Sequence, residues 1–202
     1  MKIKKNSLVL FQGDSVTDCH RDRSDYYSLG DSYVNILNEI FKQNNIKVLN
    51  RAISGNRVDH LLERFDNDFK ALKPDYLFLL IGVNDTWHNY PNCKNNEVFY
   101  QELDLLFSKI KNEMNCEVVI LEPFIIGTIE EITCMRTDLL KKVEIIRKLA
   151  GKYQYELITF ENRFAEVMVN DDETLYSIEG IHPKEKGYQL MAETILSKIE
   201  IE

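Results

Sequence analysis

Four cysteines, four prolines, eight glycines and one tryptophan among 202 residues leave several architectures without material. Cys19, Cys93, Cys116 and Cys134 lie far apart, with no close pair of the kind that binds zinc or shuttles between thiol and disulfide. A chain of this length does not depend on disulfide staples, so four free thiols in a reducing cytoplasm are expected. Gly and Pro are scattered, no stretch is rich in Ser/Gly or Pro, and no internal repeat is present, so residues 1–202 read as one domain. No apolar run approaches the roughly 20 residues a membrane helix needs, and no membrane partner is expected. The 25 Lys+Arg are outnumbered by 33 Asp+Glu, for a net charge of −8, and they form no basic run, which argues against a nucleic-acid partner. The basic start Met1-Lys2-Ile3-Lys4-Lys5 leads into a short apolar run that meets Gln12-Gly13-Asp14 without a small-residue cleavage pattern, so no secretory signal is read and a cytoplasmic location is expected.

What is present is an alternation. Short apolar runs at Leu8–Phe11, Ile46–Leu49, Tyr76–Ile81, Val118–Leu121 and Tyr155–Ile158 read as buried strands. Between and after them, helical spacing links Tyr33/Ile36/Leu37/Ile40/Phe41, Val58/Leu61/Leu62/Phe65/Phe69, Phe99/Leu103/Leu106/Ile110/Met114, Met135/Leu139/Val143/Ile146/Ala150 and Tyr188/Met191/Ile195/Ile199. A β-α repeat of this kind predicts a three-layer α/β/α fold around a five-stranded parallel sheet, because each right-handed crossover returns a strand to the sheet through a covering helix. Ligands then bind where loops leave the carboxyl ends of the strands, so the chemistry belongs after each apolar run.

Four such segments carry candidates. After the first strand, Gly13-Asp14-Ser15-Val16-Thr17-Asp18 presents Ser15 as a candidate nucleophile, or as a turn or cap residue. The tripeptide recurs at Gly30-Asp31-Ser32, at the head of a periodic helical run, where capping is the expected role. After the second strand, Ser54-Gly55-Asn56-Arg57 offers an unobstructed Gly55 N–H to a ligand oxygen; equally, Gly55 supplies a tight turn and Asn56 an N-cap. After the third, Gly82-Val83-Asn84-Asp85 offers the Asn84 amide as an uncharged donor suited to an oxyanion, or an Asx turn. Before the last helix, Glu179-Gly180-Ile181-His182-Pro183 contains the best candidate base, His182, with Glu179 three residues earlier able to turn back onto the ring and fix its tautomer; Pro183 suits a first helical turn. His20, His60 and His88 read as surface or rim residues. A metal set drawn from Asp14, His20, His88 and Cys93 lacks ligand spacing on any regular element, so no metal is predicted.

In order and spacing, Gly13-Asp14-Ser15, Ser54-Gly55-Asn56, Gly82-Val83-Asn84-Asp85 and His182-Pro183 together resemble the GDSL, or SGNH, hydrolases over nearly the whole chain, with further matches at Leu121-Glu122-Pro123-Phe124 and Gly187-Tyr188. The resemblance implies a flavodoxin-like SGNH hydrolase fold and a serine esterase acting on a small-molecule ester, with no cofactor. Carried over residue by residue, it implies Ser15 as nucleophile, His182 as general base, and Ser15 N–H, Gly55 N–H and Asn84 as oxyanion hole. Where the family usually has Asp three residues before the histidine, this chain has Glu179, one methylene longer, which is expected to serve; Asp171, Asp172 and Glu173 are the alternatives in the preceding loop. Trp87 and His88 are expected on the leaving-group side, small acyl groups are favoured, and a carbohydrate O-acetyl ester is the substrate guess. The loop 123–133 is positioned to overhang the site. Two rivals remain at this stage, a flavodoxin-like phosphate- or flavin-binding module and an inactive hydrolase fold used for interaction.

Overall fold

In the computed structural model, which describes residues 1–127 and 130–202, the five apolar runs form one parallel sheet. Its strands are β1 (Leu8–Gly13), β2 (Lys47–Asn50), β3 (Tyr76–Leu80), β4 (Glu117–Leu121) and β5 (Glu156–Ile158), in the order β2-β1-β3-β4-β5. The runs are continuous rather than alternating because both faces of the sheet are covered. Val9, Phe11, Phe78 and Val119 point to one side, against the helices Tyr33–Phe41, Glu161–Met168 and Glu185–Leu196. Leu10, Leu77, Leu79 and Ile120 point to the other, against Asn96–Glu113 and Arg136–Tyr153. Register follows from this alternation: Phe11 pairs with Asn50 on one side and Phe78 on the other, and Gly13 with Leu80.

The expected helix from Val58 to Phe69 is broken into Val58–Glu63, Phe65–Asp68 and a 3-10 turn, Lys70–Leu72. Arg64 sits between the first two pieces at φ −103°, ψ 11°, and its guanidinium donates to Arg51 O at 2.8 Å and to Asn56 Oδ1 at 2.9 Å, while the Gln12 amide donates to Asp68 O at 2.6 Å. These tertiary bonds outweigh helical continuity. The last helix begins at Glu185, with Pro183 outside it in a bridge to Ser177, rather than in its first turn. The helix Glu161–Met168 and a two-residue parallel ladder, Lys2–Ile3 against Glu200–Ile201, have no counterpart in the periodicity reading.

The connections from β1 leave first toward β2 and then cross back to β3, so the sheet's switch point lies beside the carboxyl end of β1. Residues 14–20, 51–57 and 81–88 emerge at that edge.

Candidate active site

β1 ends at Gly13, whose φ of +154° and near contact with Leu80 O exclude a side chain: a Cβ there would lie 2.2 Å from that oxygen. The next residue, Asp14, is fully buried and caps the one-turn helix Ser15–Asp18, its Oδ1 accepting from Val16 N at 3.1 Å. Burial pushes the Asp14 carboxyl up to about 7, with the nearby Asp85 and Asp18 adding to the effect against the bond from Val16. Because Asp14 takes the cap, the Ser15 hydroxyl is left to point outward, where its Oγ is hydrogen-bonded to His182 Nε2 at 2.8 Å.

His182 is presented by a loop with its own scaffold. Ser177 Oγ donates to His182 O at 3.1 Å and accepts from Gly180 N at 2.7 Å, and Ile178 N donates to His182 O at 3.0 Å. Gly180, at φ +99°, passes so close to the segment after β4 that a Cβ would meet Ile126 O at 2.7 Å, and its carbonyl accepts from Ile126 N. Thus the stretch expected to overhang the site instead braces the histidine loop at Ile126; of its remainder, residues 128 and 129 lie outside the described residues and Glu130–Thr133 form a helical turn. Glu179 does turn back, its Oε1 in direct contact with His182 Nδ1. A carboxylate at Nδ1 holds the ring proton there and leaves Nε2 to accept from the Ser15 hydroxyl. The alternatives are engaged elsewhere: Asp171 with Tyr176 Oη and Lys186, and Asp172 as cap of the 3-10 turn Glu173–Leu175.

The loops after β2 and β3 meet beside Ser15. Asn84 is buried and donates one amide N–H to Asn56 O at 3.0 Å, leaving its second N–H without an acceptor among the described residues; the backbone N–H groups of Ser15 and Gly55 are likewise unpartnered there. Asn56 is therefore not the N-cap that the sequence suggested; Arg57 holds that position, its N–H donating to His60 Nδ1 at 3.1 Å. The Gly55 loop is tied to the Ser15 helix by Asp18, whose Oδ2 accepts from Ser54 N at 2.7 Å, Ser54 Oγ at 2.6 Å and Arg23 at 2.7 Å. Burial pushes the Asp18 carboxyl up, but these bonds outweigh it and hold the group below its ordinary value. Sequence reasoning passed over Asp18, although its place one helical turn past Ser15 was a usable signal. Trp87 packs its ring 5.4 Å from that of His182, and His88 flanks Gly55, whose missing Cβ would lie 3.7 Å from His88 Cε1. Partial burial and the nearby Arg57 lower the His88 pKa.

Among the described residues Asp14, His20, His88 and Cys93 are not brought together; the one cluster with metal-ligand spacing is Asp59, Asp85 and Glu102, and the Lys94 ammonium stands within it. No helix is long and apolar enough to cross a membrane. Chemically, the edge offers a hydroxyl hydrogen-bonded to an imidazole, a carboxylate on the far ring nitrogen, and three N–H donors in the adjoining loops without acceptors, the elements of acyl transfer.

Comparison with known proteins leads to the same chemistry. The family model of the GDSL-like lipase/acylhydrolases matches residues 11–190. An acetylxylan esterase of Geobacillus stearothermophilus is 29% identical over 215 residues, covering 100% of this chain and 98% of its own. The crystal structure of Axe2, an acetylxylan esterase from the same organism, superposes with a TM-score of 0.87 at 26% identity over 98% of this chain and 96% of that one. A GDSL-like lipase candidate from Parabacteroides merdae reaches a TM-score of 0.89 at 32% identity, over 96% of each chain. With the fold, the ordered motif loops and these relatives in agreement, the chain belongs to the GDSL-like lipase/acylhydrolase family and is a carboxylic ester hydrolase.

Proposed function

We propose that residues 1–202 form one hydrolase domain in which Ser15, His182 and Glu179 act as a triad on small-acyl esters of carbohydrates. The observation that carries the reading is the continuous chain from Ser15 Oγ through His182 Nε2 and Nδ1 to Glu179 Oε1. His182 takes the hydroxyl proton as Ser15 Oγ bonds to the ester carbonyl carbon, and the carbonyl oxygen becomes an oxyanion facing Ser15 N–H, Gly55 N–H and the free N–H of Asn84. Collapse breaks the bond to the alkoxy oxygen, which leaves as the alcohol with the proton held on Nε2. Water then gives a proton of its own to His182 as its oxygen bonds to the acyl carbon, and His182 passes that proton to Ser15 Oγ as the acyl–Oγ bond breaks, releasing the acid and restoring the hydroxyl. Glu179 holds the imidazole in the required tautomer through the contact of its Oε1 with Nδ1, which the extra methylene does not prevent.

Trp87 and His88 line the leaving-group side, and an indole ring suits a sugar face. The likeness in sequence and in structure to acetylxylan esterase of Geobacillus stearothermophilus supports an acetylated carbohydrate as substrate. The test is hydrolysis of a p-nitrophenyl acyl series from acetate to octanoate, together with acetylated xylo-oligosaccharides, by wild type, Ser15→Ala and Glu179→Ala. The expected result is a preference for acetate, release of acetate from the oligosaccharides, and loss of both with Ser15→Ala. A wild-type rate no higher than that of Ser15→Ala on every ester would remove the triad assignment; cleavage of aryl acetate without the oligosaccharides would remove the carbohydrate.

A further inference from the structure

Lys94 has no place in the acyl-transfer scheme, yet it occupies a junction between the two loops that supply oxyanion donors. Its Nζ donates to Asp59 Oδ1 at 2.9 Å and to Glu102 Oε2 at 2.6 Å, and stands 2.8 Å from Asp85 Oδ1 in an ion pair. Its backbone N–H donates to Asp85 O at 3.0 Å. Asp59 belongs to the helix Val58–Glu63, which follows the Gly55 loop; Asp85 neighbours Asn84 on the short helix Val83–Trp87; Glu102 lies on the helix Asn96–Glu113, which packs against Val58–Glu63. Asp85 Oδ2 in turn faces Val58 N at 3.4 Å, so Asn84 to Asn56 and Asp85 to Val58 are two parallel ties between the loops, with Lys94 closing them from outside. The Asp85 side chain is wholly buried and the Lys94 side chain is 13% exposed, so the ion pair is sheltered from water and from screening by salt.

We propose that Lys94 is a positioning residue for the oxyanion hole, its ammonium clamping the Asn84 loop to the Gly55 loop through Asp85 and Asp59. This rests on the assignment of Asn84 and Gly55 as oxyanion donors. A side chain that holds two donors in mutual register contributes only when an oxyanion forms, and a displacement of about 1 Å at such a donor is enough to cost on the order of 10²-fold in rate. Without the ammonium, the contacts that join Asp59, Asp85 and Glu102 are lost, and Arg57 remains as the cation at Asp59 alone.

The test is a double-mutant cycle on short-acyl ester hydrolysis with Lys94→Met and Asn84→Ala, singly and together, alongside Lys152→Met as a control that breaks an ion pair with Asp104 remote from the sheet's carboxyl edge. The expected result is that Lys94→Met lowers kcat by about 10- to 100-fold with KM within about threefold, and that in the Asn84→Ala background the same substitution changes kcat by less than about twofold. Lys152→Met is expected to lower thermal stability and leave kcat in place. An equal loss in both backgrounds, or an unchanged kcat in the single variant, overturns the clamp. If Asn84→Ala itself leaves kcat intact, the oxyanion assignment falls and the clamp with it, a result distinct from additivity. Should Lys94→Met not fold, Asp59→Asn, which removes one strut and keeps the Asp85–Lys94 pair, takes its place in the cycle, with a smaller loss of kcat that must again vanish beside Asn84→Ala.

Discussion

Gly13-Asp14-Ser15 leaves the end of a central strand, whereas Gly30-Asp31-Ser32 enters the first long helix, and the same three residues are used one position out of step. In the first copy the aspartate is the N-cap, fully buried, and the serine stands just inside the helix with its hydroxyl on His182. In the second, Ser32 is the N-cap, its Oγ accepting from Val34 N at 3.2 Å and donating to Thr17 O at 3.0 Å, while Asp31 is exposed beside His20. A cap position shifted by one residue decides whether the serine hydroxyl is consumed by the backbone or left for chemistry. Composition cannot distinguish the two copies; the element that each follows or precedes can.

Substituting both serines gives the largest contrast. Ser15→Ala is expected to lower ester turnover by about 10⁴-fold or more with little change in melting temperature, and Ser32→Ala to leave kcat near wild type while costing about 1 kcal/mol of stability as a lost N-cap. Steady-state rates and thermal denaturation of the pair settle it, and equal turnover in the two variants would dissolve the distinction. The aspartates differ by less. Asp14 titrates near 3.8 when unfolded and at about 7 in the fold, so between these values the folded state holds more protons. The stability contributed there is present below about pH 4, declines as pH rises to about 7, and is level beyond. Asp14→Asn is expected to remove that decline in denaturation curves taken from pH 4 to 8. Asp31→Asn, at an exposed site, is expected to change stability by no more than about 0.5 kcal/mol.

The parts of the molecule legible in the sequence are those in which one stretch of chain determines its own fate. Tyr76–Leu80 is apolar throughout because it is buried on both faces, and the polar residues that follow each strand mark the edge where Ser15, Gly55, Asn84 and His182 gather. The helix break at Arg64 was hidden because its causes, Arg51 O, Asn56 and Gln12, come from elsewhere in the chain. Lys94 was hidden for the same reason: its three carboxylates come from three helices, and nothing around Cys93-Lys94-Asn95 distinguishes it from a solvated loop lysine. The ladder joining the two ends of the chain is two residues long, too short for any periodicity to register.

The chain has one tryptophan, and the fold sets it against the imidazole of the proposed triad. Its emission depends on what touches the indole, and the His182 ring is one of those groups, 5.4 Å away between centroids. Emission from Trp87 therefore reports on the surroundings of His182, without substrate and with no competing signal from a second indole. Ligands that seat beside Ser15 would disturb the same light, so the enzyme carries its own optical gauge of occupancy at the step where its proton is transferred.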